Sequence, residues 1–252
     1  MSDPHLIEVQ LDLRALHRWA EERGLGRRGP FDEGRALHHL LSEVFGPGAV
    51  QPFRLMAAPR AQRGTIYAYA GKDAAALREQ SRATATPGID AALDLDRMRS
   101  LQRPAAHWRA GQRLGFDLRI RPVVRLRAAI QGTQFGKGKE VDAFLAEAMK
   151  QHGGNTGGME EAGRTREAVY LEWLAARLGP AATLDSEASR LASFRRSRVH
   201  RGGRLTEGPD AVIHGTLTIA DPAVFAERLA RGVGRHRAYG YGMLLLRPPQ
   251  RC

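Results

Sequence analysis

The stretch AVIHGTLTIADPAVFAERLARGVGRHRAYGYGMLLL (residues 211–246) decides the fold, because it holds a strand, a helix and a strand with their punctuation in a single run. Residues 211–220 read as a strand. Pro222 sits where its missing N–H costs nothing, at the first helical position, and opens a helix to Arg231. Glycines 232, 234, 240 and 242 break the pattern before a last strand at 243–246. Outward from here, RLASFRRSRVHRGGR (residues 190–204) turns at Gly202-Gly203 and predicts a β-hairpin. Residues 166–178 carry Val169, Leu171, Trp173 and Leu174 at helical spacing. GQRLGFDLRIRPVVRL (residues 111–126) alternates apolar and arginine residues and predicts one long half-buried strand. Between them, residues 129–163 are rich in Gly, Gln and Lys around one short helix, about 140–151, and read as an insertion that is at least partly mobile. The order is β-α-β-β-α-β.

The first half has a similar order. Residues 5–13 alternate imperfectly as a strand, and a helical stretch runs from Arg14 into the Gly/Arg-rich turn 23–30. Asp32 predicts an N-cap, and the helix behind it buries Leu37, Leu40, Leu41, Val44 and Phe45 before Gly46-Pro47-Gly48 ends it. Strands are predicted at 52–58 and 64–70. Residues 73–103 read as mostly helical with a break at Pro87-Gly88, leaving room for a closing strand. The expectation is an α+β protein of two tandem ferredoxin-like (RRM-like) βαββαβ domains with a helical insertion, residues 1–107 and 108–252. No identity repeat links the halves.

Hydrophobic residues make up 42% of the 252, enough for two cores. Lys+Arg of 39 against Asp+Glu of 27 leaves a net charge of +12, and only four of those cations are lysines. Arginine richness can follow base composition, but a charge excess does not, so the partner is expected to be polyanionic. No apolar run reaches membrane-spanning length, and the N-terminus alternates like a strand rather than a signal segment. The single cysteine, Cys252, excludes a disulfide framework and a cysteine-rich zinc site. A cytoplasmic protein without membrane contact, metal or cofactor is expected.

Three groups of residues could carry chemistry. The glycine run 231–242 is not a dinucleotide fingerprint: its glycines are misplaced, and it follows a helix and precedes a strand. Gly232 and Gly234 permit close backbone approach, while Arg235, His236 and Arg237 place cationic donors beside it, which suits a nucleic-acid backbone. An ordinary turn with exposed arginines would look the same. In the hairpin, Arg195, Arg196, Arg198, Arg201 and Arg204 concentrate charge, with no acidic residue interleaved between residues 190 and 204. An A-form major groove is too narrow for side-chain readout, so contact there would be to phosphates or near a helix end. His38-His39 lies at one edge of the apolar face of its helix. Histidine carries protons near neutral pH, although surface histidines are common. Metal ligation by His39 with Glu43 lacks further partners in sequence. No GxSxG, P-loop or spaced carboxylate cluster is present, so phosphodiester chemistry here would run without a two-metal site.

These residues resemble a known family. The run 231–248, RGVGRHRAYGYGMLLLRP, is similar to the glycine-rich signature of the CRISPR repeat-processing endoribonucleases, in the CasE branch of the RAMP superfamily. Residues 111–126 are similar to its basic "GQRLxFxLRxxPxxRL" strand. LHHLLSEVF (residues 37–45) falls where the family carries a catalytic histidine on its first helix. The helix near 167–178, the basic hairpin and the strand-Asp-Pro-helix at 216–229 also occur in order. The resemblance implies a metal-independent cut 3′ of a stem-loop in CRISPR repeat RNA, with the product retained in an effector complex. Arg35 stands where family members often have a tyrosine, and residues 14–30 and 129–163 add length. A divergent member such as the type IV form fits these differences.

Scission without metal uses the neighbouring 2′-OH and leaves a 2′,3′-cyclic phosphate. It needs proton transfer and positive charge at the phosphorane. His38 is the candidate for the first, and Arg35 and Arg23 for the second. The hairpin arginines would grip the stem, while Gly232, Gly234, Arg235, His236 and Arg237 would hold backbone near the cut. Tyr239 and Tyr241 could stack on a base or pack in the core, and the core is the expectation. The competing readings are a non-catalytic crRNA stem-loop-binding subunit of the same fold, and a basic DNA-binding or ribosome-associated protein.

Overall fold

The computed structural model describes residues 3–25, 31–201 and 204–248, without the side chains of 199–201 and 204–206. Most of the turn expected at 23–30, and the Gly202-Gly203 turn, lie outside the described residues. The chain divides into two compact units, Met1–Ala110 with Asp221–Leu245, and Gly111–Ala220 with Leu246–Cys252.

In the first unit, β1 (His5–Asp12) passes straight into α1 (Leu13–Glu22) at Asp12, whose carboxylate accepts the Ala15 N–H at 2.8 Å. Then come α2 (Glu33–Phe45), β2 (Val50–Met56), β3 (Arg63–Ala70), α3 (Ala74–Ser81), α4 (Pro87–Ala92) and β4 (Leu93–Gln102). The sheet order is β2-β3-β1-β4, with every neighbouring pair antiparallel, which is the ferredoxin-like arrangement. Ile7, Val9 and Leu11 alternate toward one face and pack with Trp19, Leu37, Leu40 and Phe53. The expected helix over 73–103 is corrected by β4. Leu93 leaves the helix in an extended conformation, and Asp94 then pairs with Gln10 of β1.

In the second unit the predicted strand 111–126 is broken. β5 (Arg113–Ile120) ends against Ala211, because Pro122 has no N–H to continue the ladder. The chain turns into β6 (Val123–Arg125), which pairs with β7 (Glu140–Asp142) in a separate two-stranded sheet. The insertion therefore holds β7, α5 (Ala143–Gln151) and α6 (Thr156–Glu161) rather than one helix, with a small core of Leu126, Val141 and Ala146. Asp142 anchors it. That carboxylate caps α5 at the Phe144 N–H, accepts the Tyr170 hydroxyl at 2.8 Å and pairs with Arg166 at 2.8 Å. The Arg166 guanidinium lies 4.2 Å from the Phe144 ring and 4.1 Å from that of Phe194, so α5 is bound to α7 (Arg166–Leu178) and β8 (Ala182–Arg201).

β8 and β9 (Arg204–Ile219) form a hairpin much longer than residues 190–204, paired down to Arg201 and Arg204. α8 (Pro222–Arg231) and β10 (Leu244–Arg247) follow as predicted, and the sheet order β10-β5-β9-β8 repeats the first sheet's topology. The compact units do not follow the expected cut at 107/108. Phe225 and Leu229 of α8 are fully buried within the first unit, where Trp108 meets Phe225 edge-on at 5.3 Å. Tyr69 of β3 is buried there too. Its hydroxyl donates to the Leu244 carbonyl at 3.3 Å, and burial raises its pKa far above the ordinary tyrosine value. Among the described residues no helix is long and apolar enough to cross a membrane.

Candidate active site

α2 forms where the sequence places it. Asp32 caps it by accepting the Arg35 N–H at 3.0 Å, and Gly46 closes it with an N–H to the Ser42 carbonyl at 3.0 Å. Leu37, Leu40, Leu41 and Val44 face the core, which leaves His38 half-buried at the edge and His39 exposed.

The glycine run after α8 is a closed loop packed on that edge. The Val233 N–H donates to the Gly242 carbonyl at 2.7 Å, and a side chain at Gly242 would collide with the Val233 carbonyl, so the closure needs glycine. At the tip, His236 takes a left-handed backbone (φ 62°), and the Tyr239 N–H donates back to its carbonyl at 2.9 Å. The Arg237 guanidinium donates to the Arg231 carbonyl at the end of α8. The loop meets the first turn of α2 at Gly34, where a Cβ would lie 2.6 Å from the Tyr239 carbonyl oxygen. The Tyr239 ring then stands 5.0 Å from the His38 ring, tilted by 56°, with the His39 ring 5.4 Å away from His38. A shallow depression beside His38 is lined by Ser42, Gln51, Phe53 and Ala238.

The structure thus brings His38 and the glycine loop together. Arg35 lies one turn before His38 on α2, half-buried. Arg23 is engaged elsewhere. Its guanidinium holds Glu43 through two hydrogen bonds, at 2.6 and 3.0 Å, and lies 4.3 Å over the Trp19 ring. The same pairing takes Glu43 away from any ligand role with His39. Burial lowers the His39 pKa, the Arg35 charge lowers it further, and Glu43 only partly opposes them. Of the two loop tyrosines, Tyr241 is core, 2% exposed, but Tyr239 is half-buried against His38 and corrects the expectation of a core residue. Gly232 and Gly234 both have positive φ, and Arg235 is exposed.

The hairpin arginines are not unopposed, which corrects the reading of an unneutralised cluster. Arg195 faces Asp210 across the ladder and pairs with it at 2.9 Å. Arg196 and Arg198 share Glu207, at 2.7 and 3.2 Å. Acidic residues were absent from 190–204 because they stand on the partner strand. Counting back from the Arg201–Arg204 pair reaches Arg198 opposite Glu207 and Arg195 opposite Asp210, so the turn position was the signal that would have found them. Hydrogen bonds from Arg198 and the charge of Arg196 hold the Glu207 carboxyl below its usual range. The side chains of Arg195, Arg196 and Arg198 remain 70%, 54% and 67% exposed, which leaves guanidinium N–H groups open to a phosphate. Those of Arg201 and Arg204 lie outside the described residues.

The profile of the family described as "CRISPR associated protein" matches residues 5–248. The chain belongs to this family. A comparison with curated proteins finds no match. Among solved structures, this CRISPR-associated protein is similar to a CRISPR endoribonuclease Cse3 bound to 19 nt RNA, at 19% identity over 98% of this chain and 100% of that one, with a TM-score of 0.66. It is similar to Thermus thermophilus Cse3 bound to an RNA representing a pre-cleavage complex, at 20% identity, 98% and 100% coverage and a TM-score of 0.64. A chain of a CRISPR RNA-guided surveillance complex matches at 16% identity, 96% and 98% coverage and a TM-score of 0.55. At these identities the likeness establishes the two-domain ferredoxin-like fold.

Proposed function

We propose that this CRISPR-associated protein is an endoribonuclease that cuts CRISPR repeat RNA 3′ of a stem-loop, and that it stays with the crRNA product in an effector complex. The observation that carries the reading is His38, half-buried on a capped helix and set against a closed glycine loop. The family match and the RNA-bound Cse3 structures of the same fold support it.

In this reading the neighbouring 2′-OH attacks the scissile phosphorus, forming the 2′,3′-cyclic phosphate as the bond to the 5′ oxygen breaks, and the step needs no bound metal. His38 transfers a proton, either from the 2′-OH or to the departing 5′ oxygen. Arg35 stabilises the phosphorane, since a guanidinium keeps its charge and is a poor acid or base. Arg23 is dropped from this role because Glu43 and Trp19 already hold it. The exposed N–H groups of Arg195, Arg196 and Arg198 take phosphates of the stem, and Arg235 takes backbone near the cut.

The test is incubation with the CRISPR repeat RNA of the same genome in EDTA, followed by end-group analysis. A single cut leaving a 2′,3′-cyclic phosphate and a 5′-OH is expected, and a 2′-deoxy substitution at the scissile position is expected to bind and resist. The second reading is a non-catalytic crRNA stem-loop-binding subunit. It is favoured by the engagement of Arg23, which leaves one of the two candidate cations beside His38. Tight binding without a cut would select it. Preference for duplex DNA would overturn both.

A further inference from the structure

We infer that Tyr239 is a positioning residue for His38: the glycine loop exists in this closed form to hold one aromatic ring against the imidazole and fix its orientation. The inference rests on the endoribonuclease reading for its consequence in cleavage, and on the contact itself for its geometry.

A half-buried histidine at a helix edge has a soft second side-chain torsion, so α2 alone does not define where the ring nitrogens point. Proton transfer needs them within hydrogen-bond reach of the reacting oxygen, and small misplacements are costly. Among the groups near the imidazole are Arg35 and His39 on α2, Ser42, Gln51 and Phe53 in the depression, and Tyr239 on the loop. Arg35 and His39 ride on the helix that carries His38. Tyr239 approaches from a different element, with its ring 5.0 Å from the imidazole and tilted by 56°.

The loop's construction converges on this side chain. Val233 and Gly242 close its base, and Arg237 ties its far limb to the end of α8. The left-handed His236 turns the chain so that the Tyr239 N–H can return to the His236 carbonyl. Gly34 then receives the Tyr239 carbonyl where any side chain would hold it off. A loop built only to show arginines to RNA needs none of the contacts on the α2 side, and one built only for packing would bury Tyr239 as it buries Tyr241.

The experiment compares wild type with Y239F and Y239L, using single-turnover cleavage of the repeat RNA, RNA affinity, and the NMR resonances of the His38 ring. Y239L is expected to cleave about 10–100 times more slowly with RNA affinity unchanged, and Y239F to restore most of the rate, because the ring and not the hydroxyl positions His38. The NOEs from the His38 ring to Ser42 and Phe53, which report its orientation rather than the lost ring current, are expected to change in Y239L and to stay near wild type in Y239F. Wild-type cleavage by Y239L overturns the inference, as do His38 ring NOEs unchanged in Y239L. If the wild-type protein makes no cut, the endoribonuclease reading fails by itself, and the NMR comparison still decides whether Tyr239 orients His38.

Discussion

Arg195 and Asp210 face each other across the β8–β9 ladder, and the Asp210 carboxylate, 3% exposed, is shared between Arg195 at 2.9 Å and Arg119 at 2.7 Å. The base of the basic hairpin is thus an ion network of two guanidiniums on one buried carboxylate. The three partners occupy one face of β5, β9 and β8, because residues two apart on a strand point the same way. Such a network fixes the hairpin's register. It also withdraws part of the apparent positive charge from any RNA.

The buried carboxylate sets the first prediction. D210N keeps the size of the side chain but removes the Asp210 charge that faces Arg119, 18% exposed in its side chain. Breaking such a pair should cost about 2–4 kcal/mol, below the range for a fully buried pair because Arg195 is screened by water. Burial opposes ionisation of Asp210, yet the hydrogen bonds and charges of Arg119 and Arg195 prevail and hold its pKa below the ordinary aspartate value. A depressed carboxylate stabilises the fold fully above its unfolded pKa and loses that contribution as pH falls through the folded value. Urea denaturation should therefore show wild type converging on D210N below about pH 4. An equal midpoint at pH 7 would contradict the role given to Asp210.

Glu207 gives a prediction of opposite sign. It is exposed and holds Arg196 and Arg198, so it contributes little stability and competes with phosphate for both guanidiniums. E207Q should bind repeat RNA more tightly at low salt and leave the denaturation midpoint nearly unchanged. Its plot of log affinity against log salt should steepen by about 0.7–0.9 for each further phosphate that the released arginines neutralise. R196A/R198A should flatten the same plot. Filter binding between 50 and 200 mM salt, about the range over which duplex contacts lose most affinity, reads both. Weaker binding by E207Q would mean that Glu207 orients the arginines for RNA rather than neutralising them.

The fold was legible wherever one physical signal dominated. The Asp32 cap, the stripe from Leu37 to Val44 and Pro222 at the start of α8 fixed those helices by local rules alone. The closing strand of the first half was expected but not placed, because the charged residues of β4, Asp94, Asp96, Arg97 and Arg99, blur the alternation on an edge strand with one solvated side. The break after Ile120 was visible as Pro122 but outweighed by the alternation on either side of it. The assignment of α8 to the first compact unit has no local signal: its apolar face is the same whichever sheet it covers. In the site, His38 was legible by its place on the helix. Its pairing with Tyr239 was not, because it joins residues about two hundred positions apart through a loop whose shape depends on Gly34 in another element.

His38 and Arg35 can be separated by what each variant leaves intact. H38A should lower single-turnover cleavage by about 10²–10⁴ with RNA affinity unchanged, the usual scale for losing a general acid or base. Equal cleavage would remove His38 from the mechanism. R35A should slow cleavage as well, by about 10²-fold or more if the guanidinium meets the phosphorane. It should also raise the pKa of His39, because removing a neighbouring cation favours the imidazolium form. NMR titration of His39 in wild type and R35A checks the electrostatic half of this prediction independently of RNA. A His39 pKa unmoved by R35A would show that the Arg35 charge does not reach this edge of α2.

Gly34 provides the most local test of the loop's seat. Its missing Cβ leaves room for the Tyr239 carbonyl, which would lie 2.6 Å from an added methyl group and is backbone that cannot swing aside. In G34A the loop must retreat or α2 must shift. Alanine also favours the helix over glycine by about 1 kcal/mol, so the two effects oppose each other in stability. Overpacking of this kind typically costs about 1–3 kcal/mol, and the net loss of stability should be small, near 1 kcal/mol. The effect on cleavage has no such compensation. Retreat of the loop separates the Tyr239 and His38 rings, so G34A should reproduce the rate loss of Y239L while keeping the tyrosine. The double variant G34A/Y239L should then be no slower than either single one, because both remove the same contact. Additive losses would mean that Gly34 and Tyr239 act on cleavage by separate routes, and that the loop's packing on α2 does not serve the imidazole.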